Sequence, residues 1–183
     1  MATAEPIKFT YEEYRTAPAD KRYELLDGDL VMGPAPNLKH QEVQSRLGRR
    51  LAQFVEERGL GKLFFAPCDV VLSDTDVVQP DLLFVSRERD HLLSGGENVR
   101  GAPDLVVEIL SPATAERDRG YKRVLYARHG VAEYWLIDPT AETVWVHRLR
   151  DGELALAQTL GRERTLRTPL LPGFEADLDD VFA

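Results

Sequence analysis

Two carboxylates interrupt the most apolar runs of this chain. Asp81 lies in Val78-Gln79-Pro80-Asp81-Leu82-Leu83-Phe84-Val85, and Glu108 in Asp104-Leu105-Val106-Val107-Glu108-Ile109-Leu110. Short aliphatic runs of this kind read as strands of a buried sheet. Any fold that buries them therefore takes the acids inside as well. Removing a carboxylate from water costs several kcal/mol unless a cation or hydrogen-bond donors meet it. That cost is tolerated most readily where the charge has work to do. Lys122 follows on the next helical segment. Two carboxylates from neighbouring strands and one lysine are the parts of a metal-dependent phosphodiesterase site.

The rest of the chain reads as one domain over residues 1–183, a length that supports a single sizeable core. No apolar run approaches the roughly 18 residues that span a bilayer, so no membrane association is expected. The segment Met1-Ala-Thr-Ala-Glu-Pro-Ile-Lys8 lacks the basic and apolar regions of a signal peptide, and the expected location is cytoplasmic. The lone Cys68 excludes an intrachain disulfide framework and a Cys-rich zinc site. A formal charge of −8, from 23 basic and 31 acidic residues, gives no overall basic field for tight bulk nucleic-acid binding. A local basic stripe remains compatible with that total. No Gly-x-Gly-x-x-Gly or P-loop pattern points to a nucleotide cofactor.

Local signals predict the order of elements. Thr10 and Glu13 fit a capping box for a short helix to Ala17. Asp27-Gly28-Asp29 separates the strands Tyr23–Leu26 and Leu30–Met32 as a hairpin turn. Asn37 is placed to cap a long helix ending near Gly59, with Val43, Leu47, Leu51, Phe54 and Val55 as its buried stripe. Strands follow at 62–65, 69–72, 77–85 and 105–110. A second helix runs from about Ala115 to His129 and stops at Gly130. Strands at 133–137, 144–148 and 153–160 complete the pattern. The fold class is α/β (α+β): a mixed β-sheet flanked by helices.

Each candidate residue also has a plain structural explanation. Asp81, after a proline, suits the start of a strand, where its carboxylate could accept backbone hydrogen bonds. Glu108 could form a buried ion pair with an arginine. Lys122 stands four residues after Asp118, the spacing of an exposed helical salt bridge. Tyr126, one turn further on, reads as core or as a hydrogen-bond donor. Glu24 reads as a solvent-facing strand residue, and His40 as an inward-facing residue of the long helix, of the sort more often satisfied in the core than used as a ligand. Basic residues cluster twice, Arg46, Arg49 and Arg50 on the long helix and Arg117, Arg119, Lys122, Arg123 and Arg128 on the second. The latter cluster lies beside the proposed site and could contact phosphates, though such clusters are usually solvated faces. No aromatic-rich groove is apparent beside them.

Taken in order, Tyr23-Glu24-Leu25-Leu26-Asp27-Gly28-Asp29-Leu30, His40, Pro80-Asp81, Val107-Glu108-Ile109-Leu110-Ser111-Pro112-Ala113-Thr114, Asp118, Lys122, Tyr126 and Gly130-Val131-Ala132-Glu133-Tyr134-Trp135-Leu136-Ile137-Asp138-Pro139 resemble the bacterial Putative restriction endonuclease family, a branch of the PD-(D/E)XK nuclease superfamily. The resemblance runs from about Tyr11 to Phe182. It implies a restriction-endonuclease-like core with the acids at one end of the sheet, a divalent metal (Mg²⁺ or Mn²⁺) on Asp81 and Glu108, and DNA as substrate. It adds Glu24 as a third carboxylate, on the metal or its water, and His40 and Tyr126 as lesser site residues. The superfamily lysine usually stands two residues after the second acid. Leu110 occupies that place here, and Lys122 on the following helix matches the displaced lysine of this branch.

Two other functions compete with a Mg²⁺-dependent endonuclease. One is a non-catalytic scaffold of the same fold, favoured by the acidic charge and the displaced lysine. The other is a hydrolase of small phosphoesters. A homodimer is a further expectation, with Trp145 exposed on a late strand as its motive; the alternative places Trp145 under the C-terminal segment Leu170–Phe174.

Overall fold

The break at Pro80 organises the molecule. A single strand was expected from Val77 to Val85, but the computed structural model, which describes residues 7–18 and 22–183, divides it. Its first part, β5 (Asp76–Val78), and its second, β6 (Leu82–Ser86), belong to different sheets. Proline has no N–H to continue a ladder, so Gln79-Pro80-Asp81 passes from one sheet to the other. Most of the N-terminal stretch read as lacking a leader lies outside the described residues.

The first sheet is built from the N-terminal half. A short helix α1 (Tyr11–Tyr14) is closed by Glu13, whose Oε2 accepts from the Thr10 N–H at 2.8 Å. It is shorter than the expected helix to Ala17. The hairpin β1 (Tyr23–Leu26) and β2 (Asp29–Met32) turns on Asp27 and Gly28, both at positive φ (49° and 76°), the geometry of a two-residue type I′ connection. With β4 (Val70–Ser73), β5 and β7 (Val99–Arg100) these form a five-stranded mixed sheet in the order β2-β1-β5-β4-β7.

The second sheet carries the main core. It contains β3 (Gly61–Phe65), β6, β8 (Leu105–Ile109), β9 (Glu133–Asp138), β10 (Thr143–Arg150) and β11 (Glu153–Gly161), in the order β11-β10-β9-β8-β6-β3. Only β8 and β9 run parallel. Helix α2 (Leu38–Arg58) covers one face. Asn37 caps it by accepting from His40 N–H at 2.9 Å, and Gly59 ends it in the left-handed region at φ 60°. Its stripe Val43, Leu47, Leu51 and Val55 packs on Leu82, Phe84, Leu105, Val107 and Ile109. A small C-terminal unit, β12 (Thr165–Leu166), β13 (Ala176–Asp177) and α5 (Leu178–Phe182), closes that core. Arg46 and Arg50 of α2 tie it down through the Ala183 carbonyl and Asp180.

The opposite face of the sheet is covered by a second helical segment. It begins as α3 (Ala115–Arg117), widens into a π turn over Asp118–Lys122 and continues as α4 (Arg123–His129), ending at Gly130 with φ 85°. Strand alternation selects what meets it. Leu105, Val107 and Ile109 face α2, whereas Val106 and Leu110 face the other way, into a core with Leu125 and Tyr126. Glu108, between Val107 and Ile109, takes that second face. Trp145 also belongs there, packed beside this second cluster and beneath the Arg119 guanidinium at 4.5 Å. It neither stands free nor lies under Leu170–Phe174, which pack in the other core. A homodimer thus loses Trp145 as its motive. Among the described residues no helix is long and apolar enough to cross a membrane.

Gly48 marks a close approach between α2 and β3. A Cβ there would stand 2.3 Å from the Phe65 ring. Gly48→Ala is expected to displace Phe65 and destabilise by about 1–3 kcal/mol, the usual range for overpacking. A smaller loss in urea unfolding would show that the ring swings aside freely.

Candidate active site

The two interrupting acids meet because their strands are antiparallel neighbours. Leu82 pairs with Val107 in the β6–β8 ladder. Asp81 precedes the first and Glu108 follows the second, so both stand at the same end of the sheet. Asp81 Oδ2 accepts the Ile109 N–H at 2.8 Å and lies 3.1 Å from His40 Nε2. With a carboxylate as partner, that nitrogen carries the hydrogen. His40 is therefore not simply packed in the core: the cap at Asn37 aims the first turn of α2 at Asp81. Its Nδ1 is buried without a hydrogen-bond partner among the described residues.

Lys122 is the centre of the site. Its Nζ lies 2.8 Å from Glu24 Oε1, 2.9 Å from Glu108 Oε1 and 3.5 Å from Asp118 Oδ1. The exposed Asp118–Lys122 pair offered by the sequence is instead buried, with 3–4% of either side chain accessible. The π turn holds both residues on the inner side of the helix, and Tyr134 OH donates to the Asp118 carbonyl at 3.0 Å. Tyr126 is both core and site: fully buried, it donates its OH to Glu108 Oε1 at 2.8 Å. Glu24 does not face bulk solvent. It is buried, and its Oε1 also accepts the Gln79 N–H at 2.9 Å, a donor supplied by the break before Pro80. Arg117 approaches Glu24 Oε2 at 3.7 Å.

The pocket has a volume of about 60 Å³. All four principal acids and bases read from the sequence, Glu24, Asp81, Glu108 and Lys122, line it, together with His40. Tyr126 stands behind Glu108. Other side chains also line it that the sequence reading did not list as catalytic or metal-binding, among them Arg22, Gln79, Ser111, Thr114, Arg117 and Asp118. The i,i+4 spacing of Asp118 and Lys122 was visible beforehand, but not that both would be buried. Nothing in the sequence distinguishes Arg22.

Electrostatics separates the carboxylates. Burial raises the pKa of Glu108, and Lys122 only partly offsets it because Asp118, Asp81 and Glu24 add negative charge nearby. Burial also raises Asp118, with Lys122 again a partial offset. Glu24 is pushed up by burial too, but Lys122 and the Gln79 N–H more than compensate, and its pKa falls below the usual value. Burial pulls Lys122 down; Glu108, Glu24 and Asp118 together outweigh it and hold the ammonium charged. When Glu24, Asp81, Glu108 and Asp118 are all ionised, their charge exceeds that of Lys122, Arg117 and Arg22, the cations lining the same pocket, and a bound cation would favour that ionised state.

That excess and the donor chemistry suit a hard cation. Asp81 Oδ1 and Glu108 Oε2 take no hydrogen bond from the described residues, whereas the other oxygen of each is engaged. Among the described residues no three His, Cys, Asp or Glu side chains converge as a ligand set. Two carboxylates fit Mg²⁺, which keeps waters and takes phosphate oxygens for the rest of its shell. They do not fit the four-ligand shell of structural zinc.

Comparisons with known proteins bear on the fold and the family. No curated protein matches the sequence. A solved structure described as a putative nuclease belonging to DUF820, from Anabaena variabilis ATCC 29413, superposes with a TM-score of 0.79. The match covers 97% of this chain and 98% of that one at 22% sequence identity, a likeness of fold. The model of the family Uma2, described as Putative restriction endonuclease, matches residues 10–179. This chain, with its acids at the end of a mixed sheet, belongs to the Uma2 family.

Proposed function

We propose that the protein is a Mg²⁺-dependent endonuclease that hydrolyses DNA phosphodiester bonds. One observation carries the reading: a buried, charged Lys122 lies 2.9 Å from Glu108 in the pocket that also holds Asp81. Asp81 and Glu108 would hold the cation through their uncommitted oxygens. When bound, a hard divalent ion lowers the pKa of a coordinated water and neutralises charge on the phosphate.

The remaining work belongs to the chain's own groups. Glu24 and Asp118 position the Lys122 ammonium, and the Gln79 N–H positions Glu24 in turn. From there Lys122 orients the attacking water or stabilises charge developing on the phosphate oxygens. His40 and the Ile109 N–H hold Asp81 in one orientation, and Tyr126 does the same for Glu108. Arg117, with 23% of its side chain accessible, is placed to meet a phosphate oxygen at the pocket mouth.

The scaffold reading has one observation in its favour. Glu24 and Glu108 are both met by Lys122, so they are not the unpaired buried charges that would argue against a purely structural role. A cleavage assay separates the two. Plasmid and oligonucleotide DNA should be cut with Mg²⁺ or Mn²⁺ and left intact in EDTA. Absence of metal-dependent cleavage on every DNA form tested would leave the structural ion network as the better account.

A further inference from the structure

We propose that the groove between α2 and the connection from β3 to β4 binds a single-stranded stretch of the polynucleotide beside the scissile phosphate. The inference rests on the nuclease reading for what occupies the pocket, and it names the form of the substrate. A pocket of about 60 Å³ accepts an ion, waters and phosphate oxygens but not a nucleotide. The rest of any nucleotide substrate has to lie outside it.

The pocket opens, past Arg22 and Pro36, into a groove of about 600 Å³ that these same residues also line. Gln41, Ser45 and Arg49 form one wall, successive positions along the polar side of α2, and Phe65 and Pro67 stand across from them. The groove is continuous with the metal site through Asp81, whose carbonyl accepts from Gln44 Nε2 at 2.9 Å and from the Ala66 N–H at 3.0 Å.

Charge and shape specify the occupant. The chain carries a formal charge of −8, yet none of the described residues lining this groove is acidic. Arg22 and Arg49 form no ion pair with a described residue, whereas Arg46 and Arg50, on the same helix as Arg49, are engaged by the C-terminal unit. Arg22 donates through Nε to Gln79 Oε1 at 3.3 Å, a neutral partner, so neither guanidinium charge is neutralised by a described acid. Such groups beside amide and hydroxyl donors suit a phosphate backbone.

Phe65 supplies the other half of the argument. It is 41% exposed at the end of a strand, and the absence of a side chain at Gly48 seats its ring against α2. An accessible aromatic ring in a groove that also presents two arginines is a stacking platform for a base. Bases of an intact duplex are stacked on one another, so only an unpaired strand can use it.

The test is fluorescence anisotropy in EDTA at low salt, with a short fluorescein-labelled single-stranded oligodeoxynucleotide and the blunt duplex of the same sequence. Wild type should bind the single strand more tightly. Phe65→Ala should weaken the single strand about tenfold and leave the duplex unchanged. Arg49→Ala should weaken both and lower the salt dependence by about one ion. Arg49 is exposed, so the melting temperature of its variant should match wild type; Phe65→Ala gives up the ring's packing against Gly48, so its binding is read below its own melting transition. Wild-type affinities in both variants, or a preference for duplex, would overturn the groove assignment; if Mg²⁺-dependent cleavage persisted, the nuclease reading would stand. The expected binding pattern without any cleavage would reject the nuclease reading and keep the groove. Failure of wild type to bind either oligonucleotide would overturn the groove.

Discussion

Lys122→Ala should lower the free energy of unfolding by about 3–5 kcal/mol at neutral pH, because it leaves buried carboxylates without their shared cation. Had the Asp118–Lys122 pair been exposed, as its helical spacing allowed, the loss would be only about 0.3–0.5 kcal/mol. The burial of both residues moves the expectation by nearly tenfold. Cleavage should fall by several hundredfold as well, the effect of about 3–4 kcal/mol of lost transition-state stabilisation.

The pH dependence supplies an internal check. Glu108 and Asp118 already have raised pKa values with Lys122 present, and its removal raises them further. An acid whose folded pKa lies above its unfolded value contributes stability below the unfolded pKa and loses it as pH rises through the folded one. The deficit of the variant should therefore shrink as pH falls from neutrality toward the ordinary carboxylate range. Urea unfolding at several pH values measures it. A variant as stable as wild type at neutral pH would show that the three carboxylates do not depend on this lysine.

Glu108→Gln should abolish divalent-ion binding and cleavage together while changing stability little. Were the Glu108 charge uncompensated, neutralising it would raise stability. The structure removes that motive, because Lys122 and Tyr126 both meet Glu108 Oε1. A glutamine oxygen accepts the same two hydrogen bonds, and Glu24 and Asp118 still balance the ammonium. With the new amide N–H groups turned, like Oε2, into the pocket, where water can accept from them, the expected change is within about 1 kcal/mol. Calorimetric titration with Mg²⁺ and Mn²⁺, beside thermal melts, reads both quantities. Metal binding at wild-type affinity in this variant would remove Glu108 from the ligand set and with it the basis of the proposed chemistry.

The residues that gather in the candidate site were largely legible because burying charge is expensive enough to leave a mark in one dimension. Asp81 and Glu108 stood out against aliphatic neighbours, and strand alternation places Glu108 on the face opposite α2. The caps at Asn37, Gly59 and Gly130 were equally visible, since each depends on a short-range hydrogen bond or a positive φ. These are local constraints, written within a few residues of where they act.

Lys122 marks the boundary. Its spacing from Asp118 was plain in the chain, but whether that pair faced water or the interior depended on what the helix packs against. The same holds for Gln79, whose N–H became a donor to Glu24 when Pro80 sent two halves of one apolar run into different sheets. It holds again for Arg22 and Phe65, which are 43 positions apart in sequence and line one groove. Residue type and spacing reveal which groups are costly to bury. Which partners meet them, and which cations are left without one, depends on contacts between distant segments, and those exist only once the sheets and helices have packed.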